Sequence, residues 1–331
     1  MCIKAIPVRL GYFVAFAGFA LASSFCAAAE WKPDKNVEII TGASAGGGND
    51  RLARTIQRIW KEERLVAVTV LPVNKPGGGN ALSWNYLNQH PGDGHYIAIA
   101  NPNLVTNHIT GRNAQHYTDF TPIVMLLSES VALAVRADSP IKTGKQVLAR
   151  LKQEPGSFNV AIGSAVGGAN HISIAKVTKA VGGDVKKLKP VVFNSMGEAI
   201  TALLGGHVDA VAGSASNMVA QMQAQKLRVI AISAPRRLAG VFAEVPTWKE
   251  QGVDAITSNW RGFIGPRGMT QAQVAYWEDV FARLGRTEKW RKEVDTYLWE
   301  ESYVKSREMR TFLESQSSEL KAILTELGLA R

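Results

Sequence analysis

Cysteine is almost absent from this 331-residue chain, occurring only as Cys2 and Cys26. Both fall in the first 29 residues, where a basic start ("MCIKAIPVR") leads into an apolar run ("LGYFVAFAGFALASSF") and then small residues ("CAAAE"). That order is the pattern of a secretory signal peptide, with cleavage expected between Ala29 and Glu30. The bulky Phe25 before Cys26 argues against lipid attachment there. The mature chain then has no disulfide, thiolate nucleophile or cysteine metal site. No later apolar run reaches the roughly 20 residues needed to span a bilayer, so a soluble periplasmic protein is expected. H-E-x-x-H, a Walker lysine, and a G-x-G-x-x-G after the first strand are also missing, and no metal or cofactor is expected. Acidic residues are fewer than basic ones, giving a formal charge of +10, which becomes +8 when Lys4 and Arg9 leave with the leader. Lys and Arg are scattered rather than massed, and export argues against a nucleic-acid partner. A modest pull on anionic ligands is what the charge implies.

The mature chain has about 300 residues, enough for two domains with their own cores. Short apolar strands alternate with amphipathic stretches: "NVEIITGA", "VAVTVLPV" and "HYIAIAN" as strands, with helical "NDRLARTIQRIWKEE" and "NALSWNYLNQH" between them. This β-α-β-α-β order predicts an α/β fold with a parallel sheet covered on both faces. After the apolar run "TPIVMLLSESVALAVR" the alternation restarts through "FNVAIGSA", "KPVVFNS", "VDAVAGSA" and "LRVIAISA". From about residue 265 the pattern reads as helical throughout.

Two glycine-rich turns sit at the same point of the two units: "SAGGGND" at 44–50 and "SAVGGANH" at 164–171. Each follows a strand and opens a helix. The first, within "GASAG", also fits the G-x-S-x-G nucleophile elbow and would make Ser44 the serine of a periplasmic hydrolase. Against that, Ser44 follows the first strand of the mature chain, three further glycines delay the helix, and the six histidines form no partner motif. As an anion cradle the turn needs no such partners. Glycine lets backbone approach a ligand, and each helix start offers unpaired N–H groups with about half a positive charge. Ser44, Ser164 and Asn170 add side-chain donors. A single loop of this kind is better read as a tight turn with a helix cap at Asn49, Asp50 or Asn170. Two matching loops favour a shared carboxylate site.

The stretch "VEIITGASAGGGNDRLAR" resembles the opening of the tripartite tricarboxylate transporter substrate-binding proteins, the TctC or Bug family. "VNKPGGGNALSWNYLNQHPGDGHYIAIA" is similar to its second block, and "YTDFTPI", "LLGGHVDA", "KLRVIAIS", "VPTWKEQG" and "SNWRGFIGPRG" follow in the family's order. The resemblance implies a monomeric Venus-flytrap receptor of two domains, each a mainly parallel sheet flanked by helices, with a helical C-terminal region. Domain one would span 30–130 plus 252–331 and domain two 131–251, with crossings near 123–135 and 256–265. It also implies that a small di-, tri- or aromatic carboxylate is clasped between domains and passed to the membrane subunits of such a transporter. A ligand-presenting partner of a membrane sensor is the alternative. The site expected by resemblance comprises Ser44, Gly46, Gly47, Gly48 and Asn49 from the first loop and Ser164, Gly167, Gly168, Ala169 and Asn170 from the second. Further lining is expected within Asn101–Asn107, Phe193–Gly197 and Gly213–Asn217, notably Asn101, Asn194, Ser195, Gly213 and Ser214. Asp50, His171 and Arg261 are candidates beside it. Asn194 stands where the family often has lysine, and Gly213-Ser214 where it often has Asp-Asn. Loss of that acid argues against an amino-acid ligand.

Overall fold

The computed structural model describes residues 1–2 and 30–331. The leader features, including Cys26 and the apolar run, lie outside the described residues.

Two sheets organise the chain. The first contains β1 (Val37–Thr41), β2 (Val70–Asn74), β3 (Tyr96–Ala100), β4 (Thr121–Ser128), β10 (Arg261–Gly265) and β11 (Glu300–Lys305), in the order β11-β4-β10-β3-β1-β2. The second contains β5 (Val131–Arg136), β6 (Val160–Gly163), β7 (Val191–Phe193), β8 (Ala210–Ser214) and β9 (Leu227–Ser233), in the order β7-β6-β8-β5-β9. Parallel pairing is confined to β2-β1-β3 and β7-β6-β8, and the remaining pairs are antiparallel. Both sheets are therefore mixed, where the sequence reading expected mainly parallel ones. The reason is connectivity. β4 and β5 follow one another but enter different sheets; β10, inserted between β3 and β4, and β11, beside β4, run against the first-sheet strands, and β5 runs against both of its neighbours, β8 and β9, in the second.

Helices cover both sheets: α1 (Gly48–Glu62), α2 (Ala81–Leu87) and α3 (Asn103–Ile109) in the first half, then α4 (Gly144–Gln153), α5 (Ala169–Ala180), α6 (Met196–Leu204) and α7 (Val219–Gln223). The C-terminal α8 (Gln271–Gly285), α9 (Glu288–Tyr297) and α10 (Ser306–Glu326) pack back on the first sheet. Leu52, Ile56 and Ile59 of α1 share one face at helical spacing and are buried with Trp60 against Trp277 and Phe281 of α8. Burying such aromatic and branched side chains contributes about 1.5–3 kcal/mol each. The C-terminal region departs from the all-helical expectation at β11. In its sequence "EESYVK" only Ser302 and Val304 are half-buried, a weak strand signal that pairing with β4 completes.

The two halves touch along the line where the chain crosses. Glu129 and Asn259 exchange backbone hydrogen bonds (3.2 and 2.8 Å), and Ser130 bridges Ser258 beside them. These short links, with the facing loops at the strand ends, enclose the candidate site.

Candidate functional site

The two glycine-rich turns have nearly the same backbone. Gly46 and Gly167 occupy the left-handed region at φ +80° and +86°, which glycine adopts without a Cβ penalty. Gly47 and Gly168 follow as N-caps at φ/ψ −75/166° and −75/171°. Each cap N–H turns inward, from Gly47 to Ser44 O (3.1 Å) and from Gly168 to Ala165 O (3.2 Å). The Gly46 N–H then bonds Asp50 Oδ2 (2.9 Å), and the Gly167 N–H bonds His171 Nδ1 (3.0 Å). Asp50 and His171 thus do the same job, each anchoring a loop from four residues ahead.

That job sets their protonation. Burial alone would raise the Asp50 pKa, but hydrogen bonds from Arg54, the Gly46 N–H and Asn74 outweigh it and hold the carboxyl below its ordinary value. Burial, with a smaller push from Arg112, lowers His171 to about 4, so its ring is neutral and accepts the Gly167 hydrogen.

What the turns leave unused matters more. Neither Gly47 nor Gly168 caps its helix with a side chain. Thr143, Ser195, Thr270 and Thr287 each accept from the first turn of α4, α6, α8 and α9, whereas α2, α3, α7 and α10 also lack a side-chain cap; what sets α1 and α5 apart is that both start at one cavity. Among the described residues the leading N–H groups of α1 and α5 have no protein acceptor, and the positive ends of two helix dipoles stand behind them. Gly48 and Asn49 from α1 and Asn170 from α5 line one cavity of about 50 Å³.

Amides and hydroxyls supply most of the remaining wall: Asn80, Asn101, Ser164, Asn194, Ser195, Ser214, Asn217 and Asn259. Two of them, Asn80 (φ 78°) and Ser164 (φ 87°), hold left-handed backbone that costs a non-glycine residue energy, and they meet across the gap, Asn80 Nδ2 donating to Ser164 Oγ at 3.3 Å. Asn103 donates to the same oxygen at 2.6 Å. Asn170 Oδ1 is buried and has no protein donor among the described residues. On the opposite wall Arg51 donates to Ser216 O (3.1 Å) and Asn217 Oδ1 (2.9 Å), tying α1 to the second half.

Arg261 is the only cationic residue of this wall among the described residues. It is buried, and its Nη2 lies 2.6 Å from Glu129 Oε2, off the axis of a directed hydrogen bond. Ser216 Oγ and Trp299 Nε1 (2.9 Å) both donate to the other Glu129 oxygen. Arg261 also reaches Ser214 Oγ at 3.5 Å, and Asn259 Nδ2 donates to it at 3.0 Å. The site is therefore close to electrically neutral before any ligand enters.

Of the residues singled out in the sequence, Gly48, Asn49, Asn101, Ser164, Asn170, Asn194, Ser195, Ser214 and Arg261 lie on the cavity. Ser44, Gly46, Gly47, Asp50, Gly167, Gly168, Ala169, His171 and Gly213 do not. Several of these are packing positions instead. A Cβ on Gly47 would sit 2.8 Å from Ser195 Cβ, and one on Gly168 would sit 2.4 Å from Asn103 Oδ1, so each loop is pressed against the opposite half. Gly213 makes room for Met196, whose Cε would lie 2.4 Å from an added Cβ. Ser44 is half-buried and makes no hydrogen bond to a histidine among the described residues. Asn80, Asn259 and Glu129 were missed. Glu129 did leave a signal, as the only acid in the apolar run "TPIVMLLSESVALAVR". Asn80 and Asn259 left none, because asparagines before a helix or in a loop are ordinary there.

The family model for the tripartite tricarboxylate transporter family receptor (TctC) matches residues 52–329. The chain belongs to this family of solute-binding proteins. A Cupriavidus necator protein described as "UPF0065 protein in gbd 5'region" is 27% identical over 329 residues, covering 97% of this chain and 98% of that one. The crystal structure of a TctC solute-binding protein from Polaromonas, without ligand, is 27% identical at a TM-score of 0.62, covering 89% of this chain and 99% of that one. An R. palustris protein solved with adipate shares the fold at 20% identity and a TM-score of 0.82, over 90% of this chain and 99% of that one. Family and fold point to a binder rather than an enzyme. No helix among the described residues is long and apolar enough to cross a membrane.

Proposed function

We propose that this TctC receptor captures a small organic carboxylate in the periplasm and delivers it to the membrane subunits of a tripartite tricarboxylate transporter. The observation that carries the reading is the pair of uncapped helix starts, α1 and α5, brought from opposite halves onto one polar cavity. A carboxylate there accepts main-chain hydrogens from both, and charge-assisted bonds of this kind are about twice as strong as neutral ones. The adipate held by the R. palustris relative is a ligand of the same class. A cavity of about 50 Å³ has room for a few water-sized groups, which favours a short acid. Among the described residues no acid lines the cavity, and Glu129 beside it is already paired with Arg261, so an ammonium group finds no free counter-charge. Amino acids are therefore disfavoured.

Closure is a hinge motion about the crossings near 123–135 and 256–265. Contacts made only when the halves meet, such as Arg51 to Asn217, favour the closed state, and ligand binding adds to them. A thermal-shift screen against organic acids and amino acids tests the proposal. A ligand at 100 times its dissociation constant stabilises by about 2.7 kcal/mol. Carboxylates should raise the melting temperature. A protein that responded to amino acids alone would refute the assignment.

A further inference from the structure

A second cavity of about 240 Å³ lies behind the first, and the two share no lining residue. The crossing strand separates them by simple alternation. Asn259 and Arg261 point to the polar site, while Ser258 and Trp260 line the second cavity. Helix α5 is divided in the same way, with Asn170 on the first cavity and Ala169, Ile172 and Lys176 on the second. The far wall comes from α10, with Phe312, Leu320 and Ile323 as its apolar surface.

We propose that this cavity is a second ligand site, taking a small aromatic monocarboxylate. Two polar groups in its wall lack a protein partner among the described residues. The Trp260 indole N–H is one, on a side chain 3% exposed, and the Thr257 hydroxyl is the other, on one 8% exposed. Both atoms are closed to water, and because an unpaired buried donor is costly to leave unsatisfied, a small side-chain shift that brings either group to an occupant's oxygen is favoured. Phe312 stands edge-on to Trp260 at 5.6 Å, a surface suited to a further ring. The volume is ample, since an apolar cavity of about 150 Å³ accommodates benzene. Lys176 uses one donor on Ile256 O (3.0 Å) and keeps others for a carboxylate, while Glu319 on the same wall limits the occupant to a single negative charge. Both halves and the crossing strand would touch such a molecule, so its binding would favour closure without competing for the polar site.

Benzoate serves as the probe, followed by calorimetry and by the indole N–H resonance of Trp260, assigned from its loss in Trp260→Phe. Benzoate should shift that resonance in the intact protein and bind about tenfold more weakly to Trp260→Phe. Gln316→Trp, which fills the cavity from α10, should abolish binding. Gly48→Val, which obstructs the polar site and opposes closure, should weaken benzoate by no more than it weakens the polar-site acid and should not abolish it. If benzoate does not bind, or if Gly48→Val abolishes binding while Trp260→Phe leaves it unchanged, the proposal is overturned.

Discussion

Replacing Gly48 with alanine separates closure from folding more cleanly than any other change. Gly48 is the first residue of α1 and has ordinary backbone, so alanine is not strained there. Within the helix it should help, because alanine is favoured over glycine by about 0.8–1.0 kcal/mol in a helix interior and by less near an end. The obstacle lies across the cavity. The new Cβ would stand 2.8 Å from Asn217 Oδ1 and 3.5 Å from Arg261 Nη2. Asn217 can move away only by releasing Arg51, which holds it at 2.9 Å across the two halves. A hydrogen bond to a charged group is worth about 1.5–3 kcal/mol, so ligand affinity should fall roughly 10- to 150-fold. The ligand-free melting temperature should stay level or rise slightly. Calorimetry with an acid found in the screen, beside a thermal melt without ligand, measures both effects. Wild-type affinity in Gly48→Ala would show that the halves do not meet at Asn217 in the bound state.

Glu129→Gln leaves Arg261 buried without its counter-charge and should destabilise the fold by about 3–5 kcal/mol, visible as a lowered melting temperature. An unchanged melt would show that the pair is solvated. His171 has its pKa lowered in the fold to about 4 from an ordinary 6.5, so the unfolded chain binds its proton first. Its contribution is complete above pH 6.5 and is lost as pH falls toward 4, by about 3 kcal/mol in all. Denaturant titrations should show this slope in the wild type and a flatter one in His171→Gln. Bulk at Gly168, as in Gly168→Val, meets Asn103 Oδ1 and should abolish ligand binding in calorimetry while each half still folds. A fluorophosphonate probe should leave Ser44 unlabelled.

How much of this was legible in the sequence differs by residue. The turns at 44–50 and 164–171 were readable because glycine at a strand-to-helix junction has few other uses, and repetition doubled the signal. Which of their residues reach the cavity was not readable. Gly46 shapes its turn, Gly47, Gly167 and Gly168 press on the opposite half, and Gly48, Asn49 and Asn170 face the cavity. Gly213 looked like lining but is covered by Met196, a packing choice that no local pattern records. The Glu129–Arg261 pair joins positions 132 residues apart, as the difference of their numbers shows, and depends on two crossings lying side by side. β11 escaped because most of its side chains are exposed and half are charged, so its pairing with β4 decides its form.

The most direct measurement is a structure of the protein with the acid found by the screen. The account predicts one carboxylate group within about 2.7–3.2 Å of main-chain nitrogens at the starts of both α1 and α5. A ligand held by one half alone, or seated away from Asn49 and Asn170, would contradict it.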